Sequence, residues 1–391
     1  MTLDVRVQPP GGRPDAGIPR WRVGGPPLPW YVVYRFNRFE GRLMNTPPAT
    51  HAHKGLSEEY LRALPKAEVH CHLGGCVPTE MAARLAASHG VAIPESAVRH
   101  GGRYRFANFD EGLIVLNAVT SSMQTTRDFE EVTYVSLMTA ASGGVRYREY
   151  YFDPQNHPAL SYPEMLEGIL AGAKAAEKET GVVTRIVPAI NRELGGEAAV
   201  ELVQEIIRHP HEYVVGIGLD SDEKAGRPSE FIAAYALARD AGLKLSAHAG
   251  EHGDPSEIRE ALDLLKVDRL DHGYAALDEP ELLSRLVTSQ LPVAACWFVD
   301  YPPPEVPGRI RDHRAMAAAG VNLSINSDDP ALIGPELHDC YFDSALHMEW
   351  TVEDAERYSL AGLEASFADK ETIDRLTAEF KAEHQRIRHL A

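Results

Sequence analysis

Four short polar clusters could carry chemistry in this chain of 391 residues. The first is His70-Cys71-His72, in which one residue separates two imidazoles. Residues two apart on a β-strand point to the same side, so both rings can face one metal ion. Taken alone this pair is weak evidence, because a histidine can simply hydrogen-bond a backbone carbonyl.

The other three clusters also combine metal-binding and proton-transferring residues. They are His248-Ala249-Gly250-Glu251, Asp271-His272-Gly273 and Asp328-Asp329. An Asp-Asp-Pro sequence alone could be a helix cap. Three neutral imidazoles and a carboxylate suit Zn²⁺ and leave one position for water. The ligands we assign to one zinc ion per chain are His70, His72, His248 and Asp328.

Hydrolysis at such an ion also needs a proton acceptor and a proton donor. His272 is predicted to orient or deprotonate the water. Glu251 lies three residues beyond a predicted ligand and is predicted to be the acid, provided that partial burial raises its pKa. Asp271 either holds the other nitrogen of a site histidine or faces outward.

The clusters fall at the ends of short β-rich segments that alternate with helical ones. Eight strands are predicted, at 66–73, 145–153, 182–191, 213–220, 243–249, 268–274, 292–297 and 321–327. This alternation predicts an α/β fold, a (β/α)8 TIM barrel whose carboxyl rim gathers the polar side chains. An open doubly wound sheet is the rival, but the first strand lacks a G-x-G-x-x-G turn.

Two segments depart from a simple barrel. Residues 74–144 hold more than one helix and are predicted to form an elaborated helical cap after strand 1. Residues 1–55 are rich in Pro and Gly and are predicted to be an N-terminal extension of unassigned role, with the barrel domain spanning 56–391.

Composition limits the partners. The chain carries 57 Asp and Glu against 39 Lys and Arg, a formal charge of −18, which disfavours nucleic acid, an anionic membrane surface and a phosphorylated substrate. Four scattered cysteines argue against a disulfide framework, and no run is apolar enough to span a membrane. We expect a cytoplasmic enzyme whose partners are water and a neutral or cationic small molecule; its oligomeric state is open.

These motifs together resemble the adenosine deaminase family of the amidohydrolase superfamily. The segments that carry the resemblance are LPKAEVHCHLGG, LSAHAGE, LDHGY and SINSDDPAL, in that order between about 61 and 366. The resemblance implies zinc-dependent hydrolytic deamination of an aminated, purine-like ring. It also implies that Glu251 protonates the ring nitrogen beside the attacked carbon, that His272 serves the water, and that Asp329 accepts a hydrogen bond from the substrate or the attacking hydroxyl.

The departures from the family pattern fall on positions expected to bind substrate. Gly74 replaces an acid that holds a ribose, and Ser221, before Asp222, replaces a glycine. Tyr151 replaces an arginine that many members carry, and strand seven ends in Cys296-Trp297-Phe298 instead of small polar residues. These residues predict a more apolar pocket than that of an ordinary nucleoside deaminase.

Two interpretations of the substrate follow. The chain deaminates an adenine-type or related aminated heterocycle whose N9 substituent is not plain ribose, or it deaminates adenosine with replacement contacts from the cap. Hydrolysis of a cyclic amide or imine at one zinc ion is the rival reaction. A binding protein without catalysis is disfavoured, because every predicted catalytic residue is present.

Overall fold

The computed structural model describes residues 55–94, 98–99, 103–106, 108–252, 254–296 and 310–391. Eight parallel strands form one sheet in chain order. They are β1 (Lys66–Glu68), β4 (Val145–Phe152), β5 (Val183–Asn191), β6 (Gly216–Asp220), β7 (Lys244–Ala249), β8 (Arg269–His272), β9 (Val293–Cys296) and β10 (Leu323–Asn326). All eight predicted strands are therefore confirmed, and the fold is a (β/α)8 TIM barrel.

The first strand is shorter than predicted. β1 ends at Glu68, because the side chain of Asn326 at the end of β10 takes over part of the ladder. Asn326 Oδ1 accepts hydrogen bonds from Val69 N at 2.9 Å and His70 N at 3.2 Å. Beyond it, Asp328 donates its N–H to His70 O at 3.3 Å and its carbonyl accepts from His72 N at 2.8 Å. The first and last strands thus join at the predicted metal ligands.

Helices surround the strands and follow them in the described part of the chain. Those beside and after the barrel strands are α1 (Glu58–Ala63), α4 (Thr126–Ser142), α5 (Tyr162–Thr180), α6 (Gly195–Arg208), α7 (Ile232–Asp240), α8 (Pro255–Glu260), α9 (Pro280–Ser289), α10 (Ile310–Ala319), α11 (Pro330–Ile333), α12 (Leu337–His347), α13 (Val352–Glu364) and α14 (Lys370–Ile387). The amphipathic segment 255–266 begins as an α-helix and ends in a π-helical turn, Ala261–Leu265.

The segment between β1 and α4 is the elaborated cap that the sequence predicts. It contains α2 (Thr79–His89), the antiparallel pair β2 (Val98–Arg99) and β3 (Arg103–Tyr104), and α3 (Phe109–Thr120). Sequence analysis did not predict the strand pair. Tyr104 donates its hydroxyl to Val77 O at 3.0 Å, which ties the pair to the segment that follows the first strand.

Charged side chains also form buried ion pairs between strands of the barrel. Arg148 pairs with Glu68, and Arg269 Nη1 lies 2.7 Å from Glu149 Oε2; all four side chains are buried. Buried charges are tolerated only when paired, so these ion pairs fix strands that are distant in sequence. Glu68 Oε1 also accepts from Ser327 N at 2.7 Å and positions the residue before Asp328.

Candidate active site

The four predicted metal ligands converge at the carboxyl end of the barrel. His70 Nε2 and His72 Nε2 lie 3.1 and 3.4 Å from Asp328 Oδ1, and His72 Nε2 lies 3.2 Å from His248 Nε2. Ligands about 2.1 Å from a tetrahedral zinc ion are about 3.4 Å from one another. The spacing of the four side chains therefore fits one such ion.

The state of the imidazole nitrogens supports the same assignment. His70 Nε2 is buried and makes no hydrogen bond, although it lies 3.1 Å from Asp328 Oδ1. One nitrogen each of His70, His72 and His248 lies within 4.8 Å of the others. Buried nitrogen atoms without a proton donor or acceptor are costly, and a cation coordinated by their lone pairs removes that cost. A divalent metal fits this donor set.

A second group that could hold a cation shares two of these ligands and adds His272 and Cys296. Burial raises the pKa of the Cys296 thiol well above its ordinary value, and the Asp328 carboxylate raises it further. We favour the set with three histidines and Asp328, because its nitrogen and oxygen atoms lie 3.1 to 3.4 Å from one another, as the ligands of one zinc ion do.

Asp271 contributes to the site from beneath the ligands. Its Oδ1 lies 3.4 Å from His70 Nδ1, and its Oδ2 lies 3.7 Å from His248 Nδ1. Tyr151 donates its hydroxyl to Asp271 Oδ2 at 2.8 Å, and Ser246 bonds the same oxygen. A carboxylate behind a metal-binding histidine fixes its tautomer and orientation. Of the two alternatives left open for Asp271, the structure favours the contact with the site.

The carboxylates of Asp271 and Asp328 determine the electrostatics of the ligand cluster. Burial lowers the pKa of His70, but Asp328 and Asp271 raise it more strongly, to about 10. Burial alone would raise the pKa of Asp328, yet the imidazole of His70 brings it down to about 2. His72 and His248 have lowered pKa values because they are buried. The field therefore favours positive charge at the centre of the cluster.

Glu251 and His272 lie together on one side of the metal ligands. His272 Nε2 is 3.7 Å from Glu251 Oε2, and its ring centroid is 4.8 Å from that of His70. His272 has a φ of 66°, an unfavourable backbone conformation for a residue with a side chain. Strain of this kind collects at functional sites, where the surrounding structure holds it.

The loop that carries Glu251 is held by a residue that sequence analysis did not single out. Glu223 accepts hydrogen bonds from Glu251 N at 3.0 Å and His252 N at 3.1 Å through its two carboxylate oxygens. Glu223 is only 6% exposed, so it is a fixed support. Its position three residues after the predicted strand 213–220 was the available signal.

Asp329 lies against the glycine segment that follows His72. A Cβ atom on Gly75 would stand 1.9 Å from Asp329 Oδ1, so no side chain fits there. Asp329 Oδ1 is buried and has no hydrogen-bond partner. Burial raises the pKa of Asp329 well above its ordinary value, and the neighbouring Asp328 adds to this rise. A buried, unpartnered oxygen beside the metal ligands is available to a substrate.

The residues predicted to contact substrate have different positions. Gly74 faces the cap: a Cβ there would lie 2.6 Å from Thr120 Oγ1. Ser221 has a φ of 68°, a conformation that a glycine adopts without strain. Asp222 accepts from Lys224 N at 3.0 Å within its loop. Trp297 lies outside the described residues.

Tyr151, also predicted to contact substrate, is 1% exposed. Its hydroxyl interacts with Asp271, with Ser246 Oγ at 2.6 Å and with Arg269 Nη2 at 3.0 Å. These contacts lie below the metal ligands, so the hydroxyl supports Asp271; a substrate contact by Tyr151 stays a prediction. The three partners of the Tyr151 hydroxyl lie about 100 residues away in the chain, so no local sequence pattern could have predicted these contacts.

A pair of carboxylates and a buried arginine complete the rim. Asp153 follows β4, Asp220 ends β6, and one oxygen of each lies within 4.8 Å of a His72 nitrogen and of the other. Burial raises the pKa of Asp220 well above its ordinary value, and Asp153 raises it further. Arg192 donates to the backbone carbonyls of Asp220 at 2.9 Å and His248 at 2.6 Å. Sequence analysis missed all three residues, although Asp153 and Asp220 end predicted strands.

No helix in the described part of the chain is both long and apolar enough to cross a membrane.

Residues 65–382 match the family model for adenosine deaminase.

Two curated relatives share more than a third of their aligned residues with this chain. An adenine deaminase from Rhodospirillum rubrum is 36% identical over 284 residues, which cover 70% of this chain and 83% of that protein. An adenine deaminase from Streptomyces coelicolor is 37% identical over 282 residues, which cover 70% and 82%.

Two solved structures have the same fold. An adenine deaminase from Arthrobacter aurescens superimposes with a TM-score of 0.72 at 31% identity and covers 82% of this chain and 98% of its own. A zinc-bound amidohydrolase from Burkholderia ambifaria gives a TM-score of 0.77 at 27% identity and covers 89% and 96%.

Proposed function

Because this chain belongs to the adenosine deaminase family and is a hydrolytic deaminase of an aminated purine-type ring, we propose that it converts an adenine-type base to the oxo compound, with one zinc ion per chain. The ring exchanges its amino group for a water oxygen, and ammonia leaves. The convergence of three imidazoles and Asp328 beside the Glu251–His272 pair carries this proposal. The names of the adenine deaminase relatives support the same type of ring.

The metal would be held by His70, His72, His248 and Asp328. When bound, zinc lowers the pKa of a coordinated water and so makes a nucleophile available near neutral pH. Asp271 keeps His70 and His248 in the tautomers that present their other nitrogens to the ion. The buried carboxylates of Asp328 and Asp271 also make the electrostatic potential at the ligand cluster negative, which favours a bound cation.

Proton movements are assigned to two residues. His272 takes a proton from the attacking water, since its ring is packed against the ligand histidines. Glu251, with 11% of its side chain exposed, donates a proton to the ring nitrogen beside the attacked carbon. The proton on that nitrogen compensates the electron pair that moves out of the C=N bond during attack. The proton that His272 took from the water then passes to the departing nitrogen, and ammonia leaves as the new hydroxyl group gives its proton back to Glu251 and the C=O bond forms.

Asp329 positions the reacting atoms. Its buried Oδ1 is available to the attacking hydroxyl or to a nitrogen on the five-membered ring. A bound substrate would provide the partner that this oxygen lacks, and such directed contacts hold a ring in reactive geometry. Gly75 is part of the same arrangement because its missing side chain leaves room for Asp329.

The proposed reaction is tested by ammonia release from a set of aminopurines, their nucleosides and aminopterins with zinc-loaded protein. We expect stoichiometric ammonia and the oxo product from an adenine-type substrate. Consumption of a substrate without ammonia would contradict the deaminase assignment and favour hydrolysis of a cyclic amide or imine. The position of adenosine in this series separates a nucleoside deaminase from a deaminase of other adenine derivatives.

A further inference from the structure

Asp153 and Asp220 form a carboxylate pair that the proposed reaction does not use. Asp220 is 3% exposed, and the Oδ1 atoms of both residues are buried without a hydrogen-bond partner. Asp220 Oδ2 faces His72 Nδ1 at 3.6 Å, which leaves Oδ1 without this neighbour. The two carboxyl groups also contact each other and can share one proton, but this contact leaves the buried Oδ1 atoms as acceptors that a donor on a bound molecule would satisfy.

The nearby arginine does not supply that donor. Arg192 directs Nε to Asp220 O at 2.9 Å, Nη2 to His248 O at 2.6 Å and Nη1 to Gly226 O at 3.3 Å. Its remaining ion-pair contact is with Glu257, at 3.6 Å. The guanidinium therefore joins the ends of two strands through their backbone and leaves the carboxylate oxygens for a ligand.

The order of strands around the barrel places the pair under the far edge of the substrate. Glu251 follows β7 and Asp329 follows β10, so a ring held between them has its amino-bearing carbon near the metal ligands. His272, on β8, occupies the side of the attacking water. The rest of a flat bicyclic ring must extend away from β8 toward β4 and β6. Asp153 and Asp220 lie at the ends of those two strands.

We propose that the Asp153–Asp220 pair accepts a hydrogen bond from the ring N–H of a free purine base and thereby selects the base over its nucleoside. This inference rests on the proposed function and on the ring orientation that it implies. A free aminopurine carries an N–H on its five-membered ring, whereas a nucleoside has a glycosidic bond in its place. A nucleoside would therefore leave two buried acceptors without a donor, and a site built for a donor rejects a ligand that lacks it.

The loss of the family's acid at Gly74 agrees with this selection. That position faces Thr120 of the cap at a distance that leaves no room for a side chain without movement. A carboxylate that could hold a sugar hydroxyl is thus missing on one side, while two carboxylates face the ring on the other. The exchange removes a contact for the sugar and adds one for the base.

The test compares adenine with 9-methyladenine, which lacks the N–H. For the unmodified enzyme we expect kcat/KM for adenine to exceed that for 9-methyladenine by about 10³-fold or more. Asp153→Asn and Asp220→Asn retain the side-chain size but replace the carboxylate, so they should reduce this ratio by about 10- to 100-fold, mainly by lowering kcat/KM for adenine. Asp240→Asn, at an exposed position on α7, is the matched control and should leave the ratio unchanged.

A binding measurement separates this inference from the reaction itself. Calorimetric titration with hypoxanthine and 9-methylhypoxanthine should show the same preference for the N–H compound, and its reduction in both variants. Equal losses for the two ligands in the variants would overturn the inference. A second metal ion per chain in the unmodified protein that is absent from both variants would also overturn it, because His72, Asp153 and Asp220 would then hold a cation instead of a purine N–H. If the protein releases no ammonia from any substrate but still binds hypoxanthine more tightly than 9-methylhypoxanthine, the deamination proposal is contradicted and the N–H contact is supported.

Discussion

Gly75 and Asp329 occupy space that only one side chain can fill. A Cβ atom on Gly75 would lie 1.9 Å from Asp329 Oδ1 and 2.5 Å from its Cβ. The segment after His72 and the segment after β10 therefore approach each other at a distance that only glycine permits at this position.

Gly75→Ala should displace Asp329 and reduce kcat by about 10²-fold, because small displacements of a positioning group have large effects on rate. Metal content should change little, since the four ligands are other residues. Steady-state kinetics and atomic absorption measure the two properties. Gly55→Ala is the control, because a Cβ there meets no atom within 4 Å. A variant with unchanged kcat would show that Asp329 does not act in the reaction.

Glu251→Gln should reduce kcat by about 10³-fold while the protein retains its metal, because glutamine cannot donate the proton that the ring nitrogen needs. The two readouts are ammonia release and metal content. Glu201→Gln changes an exposed glutamate on α6 and should keep full activity. Full activity in the Glu251 variant would exclude this residue as the acid.

Asp271→Asn should weaken metal binding by about 10- to 100-fold, because the asparagine no longer presents a carboxylate to His70 and His248. Competition with a chromogenic chelator measures the affinity. Tyr151→Phe removes one hydrogen bond to Asp271 and should produce a smaller loss. Equal affinity in the Asn variant and the unmodified protein would contradict the supporting role of Asp271.

The stability of the protein should respond to pH through Glu257. Its pKa is raised to about 7 by burial and by the neighbouring Glu223, against the effect of Arg192. The folded state therefore retains a proton that the unfolded state releases above its ordinary pKa. The contribution of this proton to the free energy of unfolding is fully present below about pH 4.5 and is lost as the pH rises through about 7.

Glu257→Gln should abolish that loss. Relative to the unmodified protein, the variant should gain about 1 to 2 kcal/mol between pH 4.5 and pH 8, since one pKa unit corresponds to about 1.4 kcal/mol and the group is partly screened. Denaturant unfolding of both proteins at the two pH values measures the difference, with Glu201→Gln as the control. A stability difference that does not vary with pH would contradict the raised pKa.

The sequence predicts much of this site because the pattern is local. Eight β-rich segments predict the barrel, and His70, His72, His248 and Asp328 end or follow three of those segments. Parallel strands present their carboxyl ends at one rim, so their convergence follows from the fold. The same rule would have included Asp153 and Asp220 had it been applied to every strand end.

Other features depend on partners far apart in the chain. Arg269 binds Glu149 across 120 residues, and the Tyr151 hydroxyl reaches Asp271 across the same interval. No periodicity within a segment encodes such a pairing. The early end of β1 has the same origin, because it depends on a side-chain amide that follows 256 residues later.

The seam closed by Asn326 also has a consequence for how the protein matures. His70 and His72 stand at one edge of this seam and Asp328 at the other, so the complete ligand set exists only after the most distant strands have met. Such long-range contacts form slowly, and a metal that binds only the finished set stabilises the folded chain by mass action. Metal uptake during refolding would therefore report the closure of the barrel, and a chain arrested before closure would remain metal-free.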